Sequence, residues 1–303
     1  AFGIITFHPN NKRINQYEFD IALPRYEKST GPGYKDFHIV SDENVPIEKD
    51  LERRDTTINA MAYRLYKIDD MLNTDINEEQ IIDKFNGKDD IKKKLIKAVG
   101  DPNKRLLEDP TRIMRALRQS AKLGFTIDDT LQKALIDNSQ LLNIVKKTSS
   151  VRISEELTRL LLYKNNLESI TFILKHLQKE LELNIPEDKI KTVICSLKYA
   201  NEHNMGIQIK YAILLQFTKP FKWARRFDLS ASNHFPTKLV KFLDSSNKSI
   251  SMLTDLVDEL DKTDNIRICI RKIIQSIDNK KMFDVINYYL LFEAIILKPN
   301  GTI

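Results

Sequence analysis

Two carboxylate–guanidinium pairings and one acidic strand carry most of the chemistry that this sequence could perform. In Arg53-Arg54-Asp55-Thr56-Thr57-Ile58-Asn59-Ala60-Met61-Ala62, Arg54, Asp55 and Asn59 bring a guanidinium, a carboxylate and an amide together. If the run is helical, Asp55 and Asn59 stand at i and i+4 on one face. Such a face suits a ribose beside a phosphate: the carboxylate accepts from a hydroxyl, and arginine grips phosphate with two parallel N–H groups. A charged helix start followed by an apolar face fits the same residues equally well. The second run is Glu108-Asp109-Pro110-Thr111-Arg112, followed by Arg115 and Arg118. It reads as an ordinary helix start, with Asp109 as cap and Pro110 in the first turn. It also reads as a base sorter. A carboxylate accepts from the exocyclic amine of cytosine or adenine, and a guanidinium donates to the neighbouring ring nitrogen. Uracil and guanine present a carbonyl where the carboxylate needs a donor. The third run, residues 17–25, puts Glu18 and Asp20 two apart, on one face of a strand.

The elements that must position these groups follow from residue patterns. Residues 3–8 and 17–23 are rich in β-branched and aromatic types and are separated by a turn composition, which predicts an antiparallel hairpin. Residues 25–44 contain Gly31-Pro32-Gly33 and are expected to form a loop. A helix is predicted from Pro46 through Ala62, strand-like Ile81-Ile82 next, a turn over 83–87, a short helix over 89–95 and a strand over 97–99. From Asn103 the pattern is helical, with Gly124 as a stop and further helices over 131–143, 149–162, 166–177, 187–202, 210–217 and onward from 236 to 303. The expected class is α+β: a small partial α/β head over 1–66, a hinge and neck over 67–162, and an all-helical body and tail over 163–303.

Composition narrows the function classes. With 303 residues, 42% apolar and 30% charged, the chain can bury a core. Its longest apolar runs fall short of the ~20 residues that cross a bilayer, so no membrane partner is expected. Two cysteines are too few for a disulfide framework, and no Cys/His spacing suits zinc. A cytoplasmic setting is expected. The net charge of +6 is compatible with an RNA partner. Candidate phosphate contacts are Lys92, Lys93, Lys94, Arg152, Lys219, Arg225 and Arg226, although lysine clusters are more often solvated faces.

In order and spacing these segments resemble the head and neck of class II tRNA nucleotidyltransferases, the CCA-adding enzymes, and of the related bacterial poly(A) polymerases. The likeness covers about residues 1–160. Phe2-Gly3-Ile4-Ile5-Thr6 looks like that family's strand after its catalytic aspartates, and Asp20-Ile21-Ala22-Leu23-Pro24-Arg25 like the strand whose acidic residue supports the metal. Arg53-Arg54-Asp55 with Asn59-Ala60 resembles the ribose-recognition motif, and residues 83–91 the head–neck hinge. Glu108-Asp109 with Arg112 resembles the amino-acid template that reads the incoming base, Glu108 positioning the arginine, and residues 151–157 resemble the next neck helix.

The resemblance implies an RNA nucleotidyltransferase that adds C and A to the tRNA 3′ end, with CTP and ATP as substrates, Mg²⁺ as cofactor and the tRNA acceptor end as partner. It assigns Asp20 a supporting catalytic role, and Arg54, Asp55, Asn59, Glu108, Asp109, Arg112 and Arg115 to the nucleotide. Poly(A) addition and a non-catalytic RNA-binding module are the alternatives. The family's Gly-Gly-x-x-Arg-Asp segment and the Asp-x-Asp pair that follows it are not found in these 303 residues. The expectation is therefore a fragment, or one half of a split enzyme whose separate chain supplies the catalytic segment, nearly inert alone and holding no metal ligand pair of its own.

Overall fold

β-branched and aromatic residues mix with polar ones near the start of the chain, and there the backbone pairs. The computed structural model describes residues 4–8, 18–29, 37–66 and 77–215. Strand β1 (Ile5–Phe7) runs antiparallel to β2 (Phe19–Ile21), with Thr6 opposite Asp20, as the hairpin pattern predicts. The next stretch departs from expectation. Part of the presumed loop over 25–44 is a second antiparallel pair, β3 (Arg25–Ser29) with β4 (Phe37–Ser41). Tyr26 opposite Val40, and Ile39 beside it, are strand formers. The Gly-Pro-Gly run that suggested a loop lies between the strands, outside the described residues.

Helix α1 (Ile47–Glu52) starts after Pro46 and stops at Arg53, well short of the predicted end. Thr56 is extended and bridges to Ala98, and residues Thr57–Asn59 form a single 3-10 turn. The reason is tertiary. The Thr56 hydroxyl donates to Gln119 Oε1 at 2.8 Å, and the Thr57 hydroxyl donates to Asp90 Oδ2 at 2.6 Å, both buried. Two β-branched residues whose hydroxyls have fixed distant partners outweigh a weak helix preference. β5 (Ala62–Tyr63) then pairs antiparallel with β6 (Ile81–Ile82).

Asp83 begins the turn expected over 83–87. Its two oxygens accept from the Gly87 and Lys88 amides at 2.8 and 2.9 Å, satisfying the first donors of α2 (Gly87–Lys93). Strand β7 (Leu95–Ile96) comes two residues earlier than predicted and pairs parallel with β8 (Thr126–Ile127). Between them run α3 (Pro102–Glu108) and α4 (Arg112–Leu123), the latter closed by Gly124 at φ 66°. α5 (Asp129–Asp137) packs on α3. Ile96, Val99, Leu106, Ile113, Met114, Leu117, Leu131 and Leu135 are all buried.

Gly87 is where α2 meets the turn after Asp55. A Cβ there would lie 2.4 Å from the Thr57 carbonyl oxygen and 2.9 Å from Met61 Sδ. Methionine can move aside, but the backbone carbonyl cannot. Alanine would gain up to about 1 kcal/mol of helix propensity, whereas overpacking costs about 1–3 kcal/mol. Gly87→Ala is therefore expected to lower stability by about 1–2 kcal/mol. A chemical denaturation midpoint that stays put would show that the two elements separate without cost.

The chain divides into two compact units, Ala1–Leu141 and Leu142–Ile303. In the second, α6 (Leu141–Leu162) is one continuous helix, not the two segments expected. The break falls earlier, where Asn138 Nδ2 donates to the Ala134 carbonyl and ends α5. α7 (Leu167–His176), α8 (Ile190–Glu202) and α9 (Ile207–Leu215) follow. Buried polar groups tie them to the end of α6: Asn166 Nδ2 and Lys210 Nζ both donate to the Leu161 carbonyl, and Asn201 Nδ2 to that of Lys164. A cation at a helix C-terminus is favourable, yet burial, with Lys164 nearby, pulls the Lys210 pKa below its ordinary value. Helices expected beyond residue 215 lie outside the described residues.

Candidate nucleotide site

Asp109 ends α3 with extended backbone, and its Oδ1 accepts from the Thr111 amide at 3.0 Å and the Thr111 hydroxyl at 2.6 Å. The carboxylate thus caps the start of α4, as an ordinary helix start requires. The break at Asp109-Pro110-Thr111 sets Arg112 and Arg115 on the first turns of α4, where both reach back to Asp55. Arg112 Nε lies 2.8 Å from Asp55 Oδ1, and Arg115 Nε 2.7 Å from Asp55 Oδ2. Arg115 Nη2 also donates to Asp109 Oδ2 at 2.8 Å. Arg112 Nη1 donates to the Arg105 carbonyl at 2.9 Å and to Glu108 Oε2 at 3.0 Å, and its Nη2 donates to the Arg53 carbonyl at 3.3 Å. Glu108 holds Arg105 as well, at 2.9 Å.

A count of donors and acceptors shows what remains open. A guanidinium has five N–H groups and a carboxylate about four lone-pair sites. Among the described residues, Arg112 spends four donations, leaving one N–H on Nη2. Asp109 accepts three, leaving one site on Oδ2. Burial works to raise the Asp109 pKa, but the Arg115 charge and the Thr111 hydrogen bonds outweigh it and hold the carboxyl below its ordinary value. Burial likewise opposes the Arg115 charge, and Asp55 and Asp109 more than compensate, so its pKa is raised.

A second cluster adjoins the first. Asp50 on α1, its side chain 6% exposed, accepts from Arg53 Nε and Nη2 at 3.0 and 2.6 Å, from Arg54 Nε and Nη2 at 3.3 and 2.7 Å, and from the Arg25 amide at 3.1 Å. Glu27 holds Arg53 from the other side at 3.2 Å. The Arg54 side chain stays 46% exposed, with N–H groups left for a ligand. Asp50 was not among the expected site residues. Its i+3 and i+4 spacing to Arg53 and Arg54 was the available signal. Nothing local marks Glu27, which is 26 residues from Arg53.

The predicted helical face of Asp55 and Asn59 does not exist, because Asn59 sits in the 3-10 turn and Asp55 precedes an extended Thr56. Asn59 is exposed; its amide donates to the Thr56 carbonyl at 3.0 Å, and its side chain makes no hydrogen bond with a described residue. On the hairpin, Asp20 is exposed and accepts from the Thr6 hydroxyl at 2.8 Å, while Glu18 lies 3.7 Å from His8. Among the described residues no group of three His, Cys, Asp or Glu side chains is arranged to hold a metal ion. Mg²⁺ is usually held by one or two carboxylates together with substrate phosphates and water, and Asp20 is one exposed carboxylate on this hairpin. Lys92, Lys93 and Lys94 are exposed at the end of α2, a position cations favour whatever their function. Arg152 is exposed on α6. Lys219, Arg225 and Arg226 lie outside the described residues.

Residues 1–97 match the family model described as the poly A polymerase head domain. The CCA-adding enzyme of Lactobacillus helveticus (strain DPC 4571) is 40% identical over 135 residues, which are 43% of this chain and 30% of that protein. The CCA-adding enzyme of Oceanobacillus iheyensis is 32% identical over 203 residues, 66% of this chain and 46% of that one. Over part of its length the chain is similar to CCA-adding enzymes, and its first third matches the head domain of poly A polymerases. The Bacillus stearothermophilus CCA-adding enzyme in complex with CTP has the same fold, with a TM-score of 0.61 at 19% identity over 99% of this chain and 63% of that one. The Thermotoga maritima CCA-adding enzyme complexed with tRNA aligns at a TM-score of 0.56 and 24% identity, over 84% of this chain and 60% of that one. The chain spans about 30% of the length of the Lactobacillus relative and under half of the Oceanobacillus one. Among the described residues no helix is long and apolar enough to cross a membrane.

Proposed function

We propose that this chain selects C and A for addition to the 3′ end of tRNA, and that Asp109 and Arg112 make the selection. The observation that carries this is the leftover pair: one acceptor site on Asp109 Oδ2 and one N–H on Arg112 Nη2. Cytosine and adenine present the complementary donor and ring-nitrogen acceptor side by side, whereas uracil and guanine do not. Asp55 is the ribose carboxylate in this scheme, Arg54 offers its exposed guanidinium to a phosphate, Glu108 orients Arg112, and Asn59 lines the sugar. Relatives named CCA-adding enzymes support the choice of tRNA over other RNA ends. Mg²⁺ would supply charge neutralisation at the phosphates when bound. Asp20 would contribute one carboxylate to it. Lys92, Lys93, Lys94 and Arg152 are proposed to meet the RNA backbone.

The test is labelled-nucleotide incorporation on a tRNA that ends before CCA. It is run with this chain and with the chain preceded by the Gly-Gly-x-x-Arg-Asp and Asp-x-Asp segment of a relative. C followed by A, with UTP and GTP refused, is the expected result with the added segment. Addition of A alone to many RNAs would instead establish poly(A) addition. Incorporation of neither nucleotide in either form would overturn the proposal.

A further inference from the structure

We infer that Arg115 is a positioning residue that couples recognition of the sugar to recognition of the base, and is not itself a ligand of the nucleotide. The inference rests on the proposed reading, in which Asp55 meets the ribose and Asp109 the base. A single guanidinium joins these two carboxylates. Its Nε lies 2.7 Å from Asp55 Oδ2, and its Nη2 lies 3.3 Å from Asp55 Oδ1 and 2.8 Å from Asp109 Oδ2. Its Nη1 donates to the Thr111 hydroxyl at 3.0 Å, and that hydroxyl donates to Asp109 Oδ1 at 2.6 Å. Arg115 therefore touches Asp109 directly through one oxygen and, by way of Thr111, through the other.

Nε lies against Asp55, one N–H of Nη1 donates to Thr111 and Nη2 meets both carboxylates, so only one N–H, on Nη1, is open to a triphosphate oxygen without displacing a protein group. Arg54 differs: its side chain is twice as exposed, 46% against 23%, and retains open donors. Two anions drawn to one cation are held at a fixed spacing. A nucleotide whose ribose engages Asp55 then finds Asp109 already placed for its base. A lysine at 115 keeps the charge but is a point donor on a flexible stem and cannot span both carboxylates.

The experiment measures equilibrium binding of CTP, UTP, GTP and dCTP to the full chain by displacement of a fluorescent CTP analogue, in wild type, Arg115→Lys, Asp109→Ala and Asp55→Ala. Arg115→Lys is expected to reduce both the CTP/UTP and the CTP/dCTP ratio, each by about fivefold or more. Asp109→Ala should move only the first ratio and Asp55→Ala only the second. If Arg115→Lys weakens all four nucleotides alike with both ratios intact, Arg115 is a phosphate ligand or a mere structural tie, and the inference fails. Should Arg115→Lys not fold, Thr111→Val removes the indirect tie between Arg115 and Asp109 and is expected to lower the CTP/UTP ratio with CTP/dCTP intact; an unchanged CTP/UTP ratio would overturn the inference. Intact base ratios in Asp109→Ala, or no binding by wild type, would overturn the underlying reading instead.

Discussion

Replacing Asp109 with alanine in an incorporation-competent form is expected to raise the use of UTP and GTP relative to CTP and ATP by about 5- to 150-fold, corresponding to about 1–3 kcal/mol of lost discrimination. The size follows from what the wrong base meets. In wild type the carbonyl of uracil or guanine would face Asp109 Oδ2, an ionised carboxylate whose pKa is already held down by Arg115. Two acceptors cannot bond, so both lose their water without replacement, and unsatisfied polar groups of this kind cost about 1–3 kcal/mol each. Alanine removes the repulsion. It also removes the cap on α4, because Oδ1 satisfies the Thr111 amide, and loss of a cap costs about 1 kcal/mol. The two effects separate in the data. Cap loss lowers the melting temperature and scales all four nucleotides together, while base reading changes their ratio. Asp109→Asn sharpens the distinction, since it can retain a cap and substitutes an amide that can donate to a carbonyl. It should favour UTP more than alanine does. Nucleotide ratios that stay at wild-type values in both variants, with stability alone reduced, would leave Asp109 as nothing more than a cap.

Local chemistry made much of this site legible. Glu108, Asp109, Arg112 and Arg115 fall within eight residues across a Pro-marked helix start, and the structure keeps them together. The β1–β2 hairpin, the 83–87 turn and the Gly124 stop were equally plain, each fixed by side chains close in sequence. What was not legible is nonlocal. Helix α1 ends where it does because Thr56 and Thr57 find Gln119 and Asp90, 63 and 33 residues away. That ending destroys the Asp55–Asn59 face and turns Asp55 toward α4, 57 residues on. Over residues 25–44 the Gly31-Pro32-Gly33 run dominates the composition and points to a loop, whereas Arg25–Ser29 and Phe37–Ser41 pair as strands through contacts that composition does not encode.

The largest effect on stability is expected at Asp50, which no nucleotide needs to touch. Its two oxygens take four contacts from Arg53 and Arg54 and one from the Arg25 amide, with the side chain 6% exposed. Burial raises its pKa, but the hydrogen bonds from Arg53 and Arg54 outweigh burial, so the folded value lies below the ordinary 3.8. A carboxylate depressed in the folded state contributes stability that is present above the unfolded pKa and lost as pH falls through the folded one. Asp109 has the same sign. The protein should therefore hold its stability down to about pH 4 and lose it progressively below that. In Asp50→Asn the charge is gone, and an amide N–H₂ must face guanidinium donors that also lack acceptors. Removing one partner from a buried pair costs about 3–5 kcal/mol. Arg54 is partly solvated and can recover water, which places the expected loss near 3 kcal/mol. Thermal unfolding followed by circular dichroism from pH 3 to 7 gives both readings at once. The variant should melt lower at neutral pH, and the gap to wild type should narrow as acid protonates Asp50 in the wild-type protein. A gap that stays constant down to pH 3 would mean that packing, not the carboxylate charge, is what Asp50 supplies. Wild-type stability at every pH would mean that water carries Arg53 and Arg54 as well as Asp50 does.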